Sequence, residues 1–266
     1  MQKTNIPYIG FSWNPIAMRC TPCSPGCAHC WHLKRADMLA KNPMIDNTPP
    51  DSLQDAYAGI VGPTLVQSRL KIPGGKPKRI GVQFMGDLFH KDVTDDQIQE
   101  IWQLCRNSHH TYLWLTKRID RALKWANLTE RTWTPNIHIG VSICTQAEAD
   151  EKVPILLSIP AAVRFVSVEP MLEKVSLRRP SARGRSFRAG DWINGLSWCV
   201  AGCESGPGRR PAKIEWFRDL RDQCEMAGTP YFLKQMDVDG KIISMPKLDG
   251  KIYQEFPQTI GNMNES

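Results

Sequence analysis

IHIGVSICTQAEADEKVPILLSIPAAVRFVSV, residues 137–168, is the stretch that decides the fold class. Its two ends, IHIGVSI (Ile137–Ile143) and VRFVSV (Val163–Val168), are β-branched and aromatic with apolar residues on both faces. Strands with that pattern are covered on both sides, as in a parallel sheet. Between them lies a helical segment, QAEADEKVPILLSI. A strand, a helix and a second strand of this kind form a right-handed crossover unit. The same alternation extends both ways. YIGFSW (Tyr8–Trp13), IGVQFMG (Ile80–Gly86) and YLWLT (Tyr112–Thr116) precede it, and WCVAG (Trp198–Gly202) and PYFLKQ (Pro230–Gln235) follow. TDDQIQEIWQLCRNS carries an N-cap at Thr94 and one apolar face made by Ile98, Ile101, Trp102 and Cys105. KIEWFRDLRDQCEMAG ends on a C-capping Gly228. Six or seven such units predict an α/β protein built on a full or partial (β/α) barrel, with a doubly wound open sheet as the alternative.

Two insertions interrupt the rhythm. Residues 40–78 are rich in Pro, Gly and Asn and are expected to hold one helix over Asp51–Leu70. Residues 172–196 contain RRPSARGRSFR, with Arg178, Arg179, Arg183, Arg185 and Arg188. Such a segment is either a solvated loop or a phosphate contact. Residues 1–236 therefore read as the core and 237–266 as a small C-terminal extension, whose VDGKII and LDGKIY predict hairpins on Asp-Gly turns.

The chain has 266 residues, 41% hydrophobic and 23% charged, which is ample for a buried core. No apolar run approaches a membrane span and the N-terminus lacks a signal pattern, so a soluble cytoplasmic protein with no membrane partner is expected. A formal net charge of +7 favours anionic partners.

Nine cysteines in a reducing compartment argue for metal or redox chemistry rather than disulfides. Four of them lie in RCTPCSPGCAHCW: Cys20, Cys23, Cys27 and Cys30. Cys23, Cys27 and Cys30 read C-x3-C-x2-C, and three thiolates so spaced can hold three corners of a [4Fe–4S] cluster while one iron stays open. Cys20, Cys27 and Cys30, spaced C-x6-C-x2-C, could do the same. All four could instead close a tetrahedral zinc site, or His29 or His32 could complete a Cys3His site. Inert or disulfide-forming thiols are the third reading. The remaining five (Cys105, Cys144, Cys199, Cys203 and Cys224) read as buried, inert thiols.

In parallel α/β folds function collects at the carboxyl ends of the strands. Here those ends carry Asp87 and His90, then Thr116, Lys117 and Arg118, then Ser142 and Thr145, then Ser167 and Glu169, then Glu204, Ser205 and Arg209, and last Lys234 and Gln235. Each alone could cap a helix or pair with an arginine. Together they would ring a polar cavity above the cysteine loop. CESGPG lacks the Lys-Ser/Thr of a phosphate loop, which argues against nucleotide hydrolysis.

With WNP (Trp13–Pro15), CTPCSPGCAHCW, MGDLFH, LTKR, GVS, VSVEPML, GCESGPGRRP and YFLKQ in this order, the chain resembles a radical S-adenosylmethionine (radical SAM) enzyme, and within that superfamily a phage-associated branch. The resemblance covers residues 10–236. It implies a partial (β/α)6 TIM-type barrel, a [4Fe–4S] cluster, and SAM chelating the open iron. It also implies an external electron donor and reductive cleavage of SAM to a 5′-deoxyadenosyl radical that abstracts hydrogen from substrate. The superfamily spacing selects Cys23 as third ligand and the phage branch selects Cys20; we favour Cys20 with Cys27 and Cys30. The aromatic residue usual before the last cysteine is here His29. By strand order, Asp87 would hold the SAM amino group, and Ser142 and Glu169 its ribose and carboxylate. Lys117, Arg118, Glu204, Arg209 and Lys234 would face substrate, with Lys117, Glu204 and Lys234 as catalytic candidates. Basic charge and the arginine loop suggest a nucleotide or nucleic-acid substrate, undergoing base modification, isomerisation or repair. A phage-borne protein of this kind would work in the host cytoplasm. The competing reading is a zinc-stabilised nucleic-acid-binding protein without catalysis.

Overall fold

The computed structural model describes residues 1–45, 53–72, 74–128, 133–178 and 191–258. In chain order its elements begin with β1 (Gln2–Lys3), β2 (Phe11–Trp13), β3 (Ile16–Ala17), α1 (Trp31–Ala40), α2 (Leu53–Ala58) and β4 (Thr64–Leu65). They continue with β5 (Arg79–Val82), α3 (Asp95–Arg106), β6 (Thr111–Thr116), α4 (Ile119–Asn127), β7 (Ile137–Ile143), α5 (Gln146–Leu157) and β8 (Arg164–Val168). The last are β9 (Trp198–Gly202), α6 (Ile214–Ala227), β10 (Tyr231–Val238), β11 (Lys241–Ser244), β12 (Lys247–Leu248) and β13 (Lys251–Ile252).

One nine-stranded sheet organises the molecule, in the order β1-β2-β5-β6-β7-β8-β9-β10-β11. From β2 to β10 every neighbouring pair is parallel. The short strands β1 and β11 add antiparallel at the two edges. The order follows the chain without reversal, which is not how a doubly wound sheet is arranged. No pairing among the described residues joins the two edges, so the hydrogen-bonded sheet stays open.

It is nevertheless strongly curled. Neighbouring strands sit about 4.8 Å apart, so β5 and β10 would be roughly 24 Å apart in a flat sheet. Yet the Tyr8 ring lies 6.5 Å from Phe84, just past β5, and 5.8 Å from Phe232 on β10. Arg79 of β5 stacks 3.9 Å over the ring of Phe256, itself 5.3 Å from Phe232. The result is a trough with two faces of alternating residues. Ile137, Ile139, Val141 and Ile143 of β7 join Val166, Val168, Cys199, Ala201, Tyr231 and Leu233 in the large core under the helices. The residues between them point into the trough, where Leu113, Phe165, Trp198, Val200 and Phe232 pack with Tyr8 as an apolar floor. Two residues further along their strands stand Ser142, Ser167 and Lys234, so the trough turns polar toward the carboxyl ends.

The helices match the local signals closely. Thr94 and Gln97 form a reciprocal capping box on α3, whose Ile98, Ile101, Trp102 and Cys105 are buried. Gly228 closes α6 in the left-handed conformation. Thr145, read above as a strand-end polar group, is the N-cap of α5, accepting from the Glu148 amide at 3.3 Å. The helix expected over Asp51–Leu70 is far shorter. After α2 the chain turns at Gly59, whose φ is +78°, and Gly62-Pro63 prevents helix from resuming; β4 and a 3-10 turn at Gln67–Arg69 follow. Both Asp-Gly turns form hairpins. Asp239-Gly240 joins β10 to β11 and Asp249-Gly250 joins β12 to β13, each with two positive φ values. The extension therefore starts inside β10. Of the arginine loop, Arg179, Arg183, Arg185 and Arg188 lie outside the described residues.

No helix among the described residues is long and apolar enough to cross a membrane.

Candidate functional site at the carboxyl ends of the strands

The cysteine loop lies across the carboxyl end of the trough. Ser24 starts its 3-10 turn, Pro25–Cys27, and accepts from the Gly26 amide at 3.1 Å. A cavity of about 190 Å³ opens beneath it. Cys20, Cys27 and Cys30 line that cavity, together with Asp87, Lys117, Arg118, Ser142, Glu169, Glu204 and Lys234. Two expected residues are elsewhere. Cys23 is exposed and outside the cavity wall. Arg209 turns away to pair with Asp237 at 2.6 Å, at the turn end of the β10–β11 hairpin.

Two clamps fix the loop. At its first half, Arg118 donates to the Thr21 carbonyl at 2.7 Å and lies 3.7 Å from the Cys20 sulfur. His90 Nε2 is 2.8 Å from the Thr21 hydroxyl, and His32 Nε2 accepts from the Cys20 amide at 3.4 Å. Burial, with Arg19 and His90 nearby, lowers the His32 pKa to about 4, so its ring is neutral at pH 7 and can accept. At the second half, buried Glu204 accepts from His29 Nδ1 at 3.0 Å and from the Arg210 amide at 2.8 Å, and it is ion-paired with the Arg210 guanidinium. Arg210 reaches on to the Pro25 carbonyl at 3.1 Å. The Arg210 hydrogen bonds hold the Glu204 carboxyl down at about 2. Glu204 is thus placed as a strut for the loop, with its oxygens occupied.

Asp87 is likewise committed. Its carboxylate accepts from the Thr116 hydroxyl at 2.7 Å, the Lys117 amide at 3.1 Å, the Phe89 amide at 3.0 Å and Arg118 at 3.0 Å. Four donors fill the four lone-pair sites of a carboxylate. The geometry makes it the anchor of Arg118 rather than an open partner for a ligand ammonium. Glu169 and Lys234 form an ion pair across the cavity wall.

Apart from the exposed Ser205 and Trp31, three polar side chains of the cavity remain without protein partners among the described residues. The hydroxyls of Ser142 and Ser167 sit side by side in register on β7 and β8. The third is the Lys117 ammonium. Burial works against its charge, but the thiols of Cys144 and Cys27, with Asp87 and Cys30, outweigh that and raise its pKa. Next to it, the Cys27 thiol is held well below its ordinary value, chiefly because Cys23 donates to it. An unpaired cation facing thiols suits a site that receives an anionic group.

Sequence reading missed three contributors. Cys144, taken as inert, lies directly behind the loop: its sulfur is 3.8 Å from the Ser24 hydroxyl, and burial raises its pKa to about 11. Cys203, also taken as inert, lines the cavity. Arg210 sits beside the Arg209 that was chosen, and adjacency alone could not tell the two apart. As a fit test for the metal groups, three thiols border one cavity, the fourth, on exposed Cys23, donates to Cys27 beside it, and no group of three His, Cys, Asp or Glu among the described residues is gathered as around a single ion. Three thiols around one cavity suit a cluster with one open iron, and four thiols on one loop also suit a closed tetrahedral site.

Comparison with curated proteins finds no match, and comparison with solved structures finds none. The family model described as "Protein of unknown function (DUF5131)" matches residues 3–257, nearly the whole chain, and the protein belongs to that family.

Proposed function

We propose that this protein is a radical SAM enzyme, with a [4Fe–4S] cluster held by Cys20, Cys27 and Cys30, acting on a nucleotide or nucleic-acid base in the cytoplasm. The carrying observation is that these three thiols border one cavity at the carboxyl ends of a parallel sheet while Cys23 stands outside it. The curled sheet in chain order supports reading the core as a partial (β/α)6 barrel. When bound, such a cluster supplies an electron from an external donor to the sulfonium of SAM. The chain's own contributions follow from the site. Arg118 and His90 position the Cys20 end of the loop, and Glu204 with Arg210 positions the other end. Lys117 offers positive charge to the thiolates and their cluster. The paired hydroxyls of Ser142 and Ser167 are free to hold a polyol or carboxylate of the ligand. Tyr8, Phe84 and Leu115 wall off water on the apolar side.

Anaerobic reconstitution with iron and sulfide tests the reading. The wild type should turn brown with about four irons per chain, retain them in Cys23→Ala, and lose them in Cys20→Ala, Cys27→Ala and Cys30→Ala. Reduced with SAM, it should release 5′-deoxyadenosine. Colourless protein holding one zinc through all four cysteines would overturn the proposal in favour of the zinc-stabilised binding protein. Cluster loss in Cys23→Ala with retention in Cys20→Ala would overturn the ligand assignment.

A further inference from the structure

Helix α1 begins immediately after Cys30, and its outer face has no partner among the described residues. His32 and Ala36 point inward. Trp31, Lys34, Arg35, Met38 and Lys41 are exposed, and their spacing of three and four residues places them in one stripe along the helix. Trp31 is 53% exposed although a tryptophan is the costliest side chain to leave in water, and it also forms part of the mouth of the cavity. Lys34, Arg35 and Lys41 form no ion pair among the described residues. The acid on this face, Asp37, is neutralised by Arg19. The stripe therefore presents three uncompensated positive charges, spread over roughly 10 Å at 1.5 Å per residue, with an indole where it meets the cavity.

An exposed indole in line with free cations has the chemistry of a single-strand platform. The ring offers a face to an unstacked base, and the cations follow the phosphates. A base inside a duplex cannot reach a cavity under a loop without leaving the stack. We propose that the outer face of α1 binds a single-stranded polynucleotide and that Trp31 stacks the base next to the one entering the cavity. This deepens the proposed function by naming a polymer substrate, and it rests on that reading for the role of the cavity.

The test is fluorescence anisotropy of labelled DNA and RNA single strands, a DNA duplex and a mononucleotide, titrated across a salt series. The full-length proteins compared are wild type, Trp31→Ala, Trp31→Phe and Lys34→Ala/Arg35→Ala/Lys41→Ala, with iron content measured on each. Wild type should prefer a single strand to duplex and to mononucleotide. The triple variant should flatten its log–log salt slope by about two, at about 0.7 per phosphate contact. Trp31→Ala should weaken single-strand binding roughly 5- to 150-fold, the range found for losing one stacked base, and Trp31→Phe should recover most of it. The ratio of DNA to RNA affinity identifies the natural strand. Equal salt slopes in wild type and triple variant, or tightest binding to the mononucleotide, would overturn the proposal. So would binding of a small acidic redox protein that the triple variant abolishes, with no strand bound, because the stripe would then serve the electron donor. Iron content separates this inference from the function it builds on. Strand binding without a cluster upholds the stripe and sinks the enzyme; a cluster without strand binding does the reverse.

Discussion

Gly26 shows how a single position carries the site. A Cβ there would lie 2.4 Å from the Cys144 sulfur, closer than relaxed contacts allow, and 3.0 Å from Pro170 Cδ, which is tight. The SPGC turn can lie flat on the strand ends only because nothing projects beneath it. Gly26→Ala should cost about 1–3 kcal/mol of overpacking and lift the loop from its clamps. Iron retained after reconstitution should drop. Adding Cys144→Ala should restore it by removing the atom in the way. Normal iron loading in Gly26→Ala alone would show that the loop tolerates the displacement.

At the scale of elements, the carboxyl ends of β5 and β6 and the cysteine loop are tied together by one carboxylate. Asp87 follows β5, bonds Thr116 and the Lys117 amide at the end of β6, and holds the guanidinium that grips Thr21. Breaking a buried pair by removing one partner costs roughly 3–5 kcal/mol. Arg118 keeps its Thr21 contacts, so the lower end of that range is expected for Asp87→Ala. The consequence is specific: iron should leave Asp87→Ala faster under a chelator, and SAM affinity should fall only in step with iron content. An intact cluster with weakened SAM binding would return Asp87 to the ligand-contacting role that strand order suggested.

For the molecule as a whole, the C-terminal extension closes the end of the trough opposite the site. Glu255 binds the Tyr231 amide at 3.0 Å, the Trp198 indole donates to the Glu255 carbonyl at 2.8 Å, and Phe256 packs on Trp198, Phe232 and Arg79. Phe256→Ala should lower the melting temperature by several degrees, for about 1–3 kcal/mol, while leaving iron content unchanged. A change in iron content without a change in melting would show that the plug reaches the site. Stability should also depend on acidity through His138, buried on β7, whose pKa falls from an ordinary 6.5 to about 4 through burial and the charge of Arg79. Below 6.5 the unfolded chain gains a proton that the folded one refuses. Stability should therefore decline as pH falls from about 6.5 to 4, by at most about 3 kcal/mol. His138→Leu should make that decline shallower, read as melting temperature against pH. An unchanged slope would assign the acid sensitivity to His32 and His90, whose pKa values burial also lowers.

The sequence by itself determined the long parallel strands, the helices α3, α5 and α6, the caps at Thr94 and Gly228 and both Asp-Gly hairpins, because each depends on residues within a few positions of one another. Periodicity, capping boxes and turn dipeptides are local physics. It also determined that the cysteine loop and the polar strand ends share one side, since parallel strands place all their carboxyl ends together. Only the tertiary structure decided which of two neighbours faces inward. Arg210 grips Glu204 while Arg209 leaves for Asp237, and Cys20 borders the cavity while Cys23 does not. Only packing decided that Asp87 and Glu204 spend their oxygens on the protein, and that Cys144, over a hundred residues away in the chain, lies under Gly26. Spacing names the groups that can meet. Which of them are left with unspent charge or open lone pairs depends on every neighbour that the curled sheet brings within hydrogen-bond distance.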